Sequence, residues 1–152
     1  MRFLALLALL GLPLGCTDDN GWHLTTFSSA YRVYWHPSEF EGVSISEIES
    51  AFMLGLDAGI EHLLTYAGTH TPTLKEWSKS IAFYVHPGPY RDNDSPTGWA
   101  AGTAYIGLSA MAIAWKVGSN PLPFPAMGHE LGHLWYYSFE FEHTWWPPLV
   151  GP

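Results

Sequence analysis

The chain has 152 residues, enough for one domain with a sizeable core, and 47% of them are apolar. Its formal net charge is −8, from 14 acidic against 6 basic residues, and no Lys/Arg cluster interrupts that balance. Nucleic acid and electrostatic attachment to an anionic membrane are therefore disfavoured.

Met1-Arg2-Phe3 supplies a minimal positive start, and Leu4–Leu14 is an almost unbroken apolar run. A bilayer span takes about 20 residues, so this run fits the apolar region of a secretory signal instead. It stops at Leu14-Gly15-Cys16, which carries the only cysteine of the chain. The arrangement resembles a bacterial lipoprotein signal. That resemblance implies a signal over residues 1–15, with Cys16 becoming the lipidated mature N-terminus and tying an exported protein to a membrane. An ordinary cleaved signal is the alternative. In either case the mature domain has no disulfide and must be stabilised by packing and by any metal it holds.

Residues 17–29 read as a tether and lead-in, opening with the polar Thr17-Asp18-Asp19-Asn20, and residues 30–152 as a single domain. Ala30–His36 alternates aromatic and β-branched residues and predicts a strand ended by Pro37. Ser44–Ala67 predicts the longest helix, with apolar residues at Ile45, Ile48, Phe52, Leu56, Ile60 and Leu63. Ser44 with Glu47, or Ser46 with Glu49, forms a capping box. Gly55 and Gly59 would let a second element approach closely, at a cost of about 1 kcal/mol each in helix propensity. His62, near the helix end, is a surface residue on this reading. Ser80–His86 predicts a second strand, and Arg91–Gly98 a loop. The Asp92-Asn93-Asp94-Ser95 run offers oxygen ligands for calcium but lacks the rest of a calcium loop, so a solvated turn is the reading. Gly102–Leu108 predicts a third strand, and Ala110–Trp115 a fourth strand or one short helix. Pro121, Pro123 and Pro125 lead into a last helix, from Pro125 to about Tyr137.

That last helix carries His129-Glu130-Leu131-Gly132-His133. Residues four apart on a helix share one face, so the two imidazoles can converge on one metal at about 2.0–2.1 Å, while Glu130 faces the position left for water. This is the arrangement of a zinc hydrolase with a carboxylate as general base. With 8 His and 9 Glu in the chain, random placement yields only roughly 0.025 such pentads.

The element order and the motif together resemble the upper half of the zincin fold. The class expected is α+β: a minimal zincin-like domain, its small mixed sheet backed by two main helices, the second carrying the motif. Zincin families differ in the third ligand. Tyr136 and Phe139 stand where the metzincin pattern has glycine and histidine, and the added helix of the gluzincin pattern is hard to fit in the 19 residues after His133, with Pro147-Pro148 near their end. The remaining candidates are His143, Glu140 and Glu142. The spacing resembles small exported bacterial metallopeptidase-like proteins with a histidine some ten residues after the motif, which favours His143. His86 and His36 are distant upstream options.

The function expected is an exported, lipid-anchored zinc metallopeptidase acting on peptide or protein substrates. One Zn²⁺ is held by His129, His133 and His143, Glu130 is the general base, and Tyr136, Tyr137 or Tyr105 are oxyanion candidates. The strand Gly102–Leu108 is a candidate edge for substrate added as a strand. The alternative is a non-catalytic anchored lipoprotein that keeps a structural zinc site as a binding or assembly module. An open coordination position separates the two, because a structural site is closed by a fourth protein ligand.

Overall fold

The computed structural model describes residues 20–67, 71–119 and 122–139. The chain forms a five-stranded mixed sheet with helices on one face, an α+β architecture. Strands β1 (His23–Phe27), β2 (Tyr31–Trp35) and β3 (Ala82–His86) are followed by the short pair β4 (Tyr90–Arg91) and β5 (Trp99–Ala100). Strands β6 (Gly102–Tyr105) and β7 (Ala110–Ala114) complete the set. The sheet order is β1-β2-β3-β7-β6; β2, β3 and β7 run parallel, and both edge strands are antiparallel to their neighbours. The helices are α1 (Ile45–Ala67), α2 (Thr71–Ser78) and α3 (Met127–Phe139), with α1 and α2 crossing from β2 to β3.

One face of the sheet carries Val33, Trp35, Phe83, Val85, Met111 and Ile113, all buried against the helices. Phe52 of α1 lies at its centre, edge-on to Phe83 at 4.9 Å and to Phe27 at 5.5 Å. The opposite face carries Tyr34 stacked on Tyr84 at 4.7 Å, and Trp22 edge-on to Tyr84.

Helix α1 starts as its capping box predicts. Ser44 N–H donates to Glu47 Oε2 at 2.8 Å, and Glu47 N–H donates to Ser44 Oγ at 3.3 Å. Glu49 is used elsewhere, accepting the Ser28 N–H. The two glycines of α1 do admit a neighbour. A Cβ on Gly59 would stand 2.9 Å from Gly128 N in α3, and one on Gly55 would stand 2.8 Å from Phe124 Cβ. Helix α3 therefore packs backbone against backbone on α1.

The sheet begins at His23, inside the stretch read as lead-in. Its turn hides the strand from the sequence: Ser28 and Ser29 have φ of 47° and 56°, and Ala30 N–H donates to Phe27 O at 3.0 Å. Turns of that kind usually announce themselves with Asn-Gly or Asp-Gly. Helix α2 was not expected, and the β4–β5 pair clasps the predicted loop. Strand β7 settles the open choice at 110–115: all five of its residues are buried because β3 and β6 flank it and both of its faces are covered. Strand β6 stops at Tyr105, three residues early, where Gly107 (φ 85°) and Ser109 (φ 47°) turn the chain back into β7. Strand β3 likewise opens at Ala82, because Ile81 N–H still belongs to the turn from Ser78. Helix α3 opens at Met127 instead of Pro125, after a turn in which the buried Phe124 adopts φ 53°.

Candidate metal centre

Helix α3 presents the motif toward the edge strand β6. Leu131, Leu134 and Trp135 anchor its inner face in the core, which leaves His129 and His133 half-buried on the side facing the cleft. Their Nε2 atoms lie 2.9 Å apart, with the rings at 77°. Two nitrogens bound to one tetrahedral zinc would be about 3.3 Å apart, so opening the pair by about 0.4 Å seats the ion. Glu130 Oε1 lies 3.8 Å from His129 Nε2, and ligand atoms of the three residues all fall within 4.8 Å of one another. Among the described residues this is the one group of three or more His, Cys, Asp or Glu side chains able to hold a metal.

The electrostatics suit the donor set. Burial, reinforced by the neighbouring His133, pulls His129 down to about 4, so its imidazole is neutral and able to ligate near pH 7. Burial pushes Glu130 up to about 7, opposed by the Ala104 N–H donated to its carboxylate. A carboxyl with that value exchanges protons readily near neutral pH.

Strand β6 explains why Glu130 is held so. A Cβ on Gly102 would stand 2.6 Å from Glu130 Cγ and 2.7 Å from its Oε1. Only glycine leaves that space, so the helix and the strand edge close around the carboxyl. Above it opens a cleft of about 460 Å³ with Gly102, Thr103, Ala104 and Ile106 along one side and Asp92 and Ser95 at another. Asp92 is fixed by Thr103 Oγ1–H at 2.7 Å and by Asp94 N–H at 3.0 Å, contacts that hold its carboxyl below the usual range. Tyr90 O–H donates in turn to Thr103 Oγ1 at 2.8 Å, and burial pushes this phenol upward. A larger hollow, about 550 Å³, lies between α1 and residues 115–119 and 122–123; it is walled by Leu54, Leu122 and Trp115 and holds no motif residue.

The structure thus brings His129, Glu130 and His133 together. His143, Glu140, Glu142 and Cys16 lie outside the described residues, and Tyr136 and Tyr137 continue α3 but their side chains lie outside them too. Tyr105 pairs with Ala110 on the outer face of the sheet and does not line the cleft. His86 and His36 are elsewhere: both rings pack on Trp22, and His86 stacks on Tyr90 at 4.2 Å. Residues 92–95 form a turn closed by Ser95 N–H on Asp92 O, as read. His62 is exposed on α1 beside Gly128. Gly102, Ala104 and Asp92 had not been singled out for this site; the run of small residues Gly102, Ala104 on alternate positions is the one trace they leave in the sequence. Comparisons with protein-family models, with curated proteins and with solved structures found no match to this chain.

Proposed function

We propose that this chain is a zinc-dependent metallopeptidase with a small zincin-like fold, exported and anchored through a lipid on Cys16. One observation carries the reading: two imidazole nitrogens converge 2.9 Å apart beside a buried carboxyl, at the base of an open cleft bordered by a strand edge. The nitrogen donor pair suits zinc, and His143 is the proposed third ligand, with Glu140 or Glu142 as alternates. When bound, zinc supplies Lewis acidity toward a water and toward the scissile carbonyl. Glu130 takes the water proton on its carboxylate and later delivers it to the departing amine nitrogen. Through the Gly102 peptide groups and the Ala104 C=O, the outward edge of β6 aligns an extended peptide beside this carboxyl, which holds the Ala104 N–H.

The test pairs elemental mass spectrometry with cleavage of a peptide library. Wild type is expected to carry about one zinc per chain, lost in His133→Ala and in His143→Ala. Glu130→Gln is expected to keep the zinc while losing about 10²–10⁴-fold in kcat/KM. A Glu130→Gln protein as active as wild type refutes the mechanism, and zinc retained in His143→Ala moves the third ligand to Glu140 or Glu142.

A further inference from the structure

Strand β6 has a defined polarity at its edge. Ala101 O accepts the Ala114 N–H at 2.8 Å, so the odd positions 101, 103 and 105 bond inward to β7. Gly102 and Ala104 turn their peptide groups outward, and the Ala104 N–H reaches Glu130. A peptide added to this edge has side chains that alternate between the α3 side and the outer face of the sheet. A side chain on the outer face passes Thr103, because opposed residues of neighbouring strands have their Cβ atoms about 4.5–5.5 Å apart.

What it meets there is the Asp92 carboxylate, 2.7 Å from Thr103 Oγ1. Each of its oxygens already accepts one hydrogen bond, Oδ2 from Thr103 and Oδ1 from Asp94 N–H, and each keeps a free lone pair. The Tyr90–Thr103–Asp92 chain of hydrogen bonds holds the group in place without neutralising it. No Lys or Arg is among the described residues lining the cleft. The nearest in sequence, Arg91, lies over the Trp99 ring at 4.3 Å.

We propose that Asp92 forms a subsite for a cationic side chain, lysine or arginine, of a peptide bound along β6. The proposal rests on the peptidase reading above and adds the substrate class. Position along the peptide follows from the pleat: a cation is preferred at one register, and its immediate neighbours, which point toward α3, show no such preference.

The probes are capped hexapeptides with uncharged ends, in which lysine, norleucine or glutamate is walked through each position. Their Kd values are measured by calorimetry on the zinc-loaded full-length mature protein. At about 50 mM salt, lysine is expected to bind about three- to tenfold tighter than norleucine at one position, a preference that shrinks at high salt. Asp92→Asn removes the preference. Asp94→Asn, which makes the same charge change on the neighbouring turn, keeps it. Equal Kd values for lysine and norleucine, survival of the preference in Asp92→Asn, or its equal loss in Asp94→Asn each overturn the subsite. Hydrolysis of the same peptides separates the two claims. Cleavage without a lysine preference overturns the subsite alone, a lysine preference in binding without cleavage overturns the peptidase reading alone, and failure to bind any peptide overturns both.

Discussion

Replacing Gly102 with alanine places one methyl group into the space that orders the proposed base. The added carbon would stand 2.6 Å from Glu130 Cγ, 2.7 Å from Glu130 Oε1 and 3.0 Å from Ala126 Cβ. Carbon atoms rest about 3.5–4.0 Å apart, so Glu130 must retreat by about 1 Å or β6 must lift from α3. Either movement weakens the Ala104 N–H bond to the carboxylate. Overpacking of this kind costs about 1–3 kcal/mol, which in a chain of this size lowers Tm by about 3–9 °C. A misplacement of about 1 Å at the reacting centre costs about 10²-fold in rate. The closest obstacles to the new methyl group belong to Glu130 and Ala126 and not to the two histidines, so zinc content is expected to stay near that of wild type. Scanning calorimetry, elemental analysis and kcat/KM on a cleaved peptide read the three quantities. A Gly102→Ala protein with unchanged Tm and activity within twofold of wild type would show that β6 does not position Glu130.

Gly59→Val forces a branched side chain into a gap where even a Cβ lies 2.9 Å from Gly128 N and 3.0 Å from Met127 Cγ. The obstacle is largely backbone, so α3 must shift off α1; a loss of about 3 kcal/mol is expected in denaturant unfolding, and a loss below about 1 kcal/mol would refute the packing. The metal-free protein is expected to gain stability between about pH 4.5 and 6.5. Burial holds His129 and His86 down to about 4, from ordinary values of 6.5, so across that window the unfolded chain binds two protons that the folded chain does not. Glu130, raised from 4.5 to about 7, opposes them with one proton that the fold keeps. The net rise is one proton's worth and, because the histidines are partly exposed, shallower than about 1.4 kcal/mol per pH unit. Tm measured with chelator present reads it, and a flat or falling Tm across the window would contradict the assignment.

Much of the scaffold was legible because its signals are local. The 3.6-residue spacing from Ile48 to Leu63 and the Ser44–Glu47 box belong to α1 whatever surrounds it. Strand β2 was legible from its alternation, which the sheet keeps as buried Tyr31, Val33 and Trp35 against Arg32 and Tyr34. Strand β1 was not, since its turn uses serines at positive φ where glycine or asparagine is usual. The Ser28 N–H bond to Glu49 of α1 is the tertiary contact that holds one of them. Strand β7 was ambiguous because a strand covered on both faces loses its alternation.

The candidate site divides in the same way. Sequence alone determined that His129 and His133 share one helical face with Glu130 beside them, because that follows from the pitch of a helix and needs no partner. Tertiary structure alone decided what Glu130 is. Its burial comes from β6, where Gly102 leaves room for the carboxyl; that burial raises its proton affinity, and the Ala104 N–H donated to it opposes the rise. The same holds for Asp92, a turn residue by sequence that Thr103 and Tyr90 bring to the rim of the cleft. A helix records its own periodicity in the chain, whereas desolvation and hydrogen bonding across a cleft depend on residues that only folding brings together.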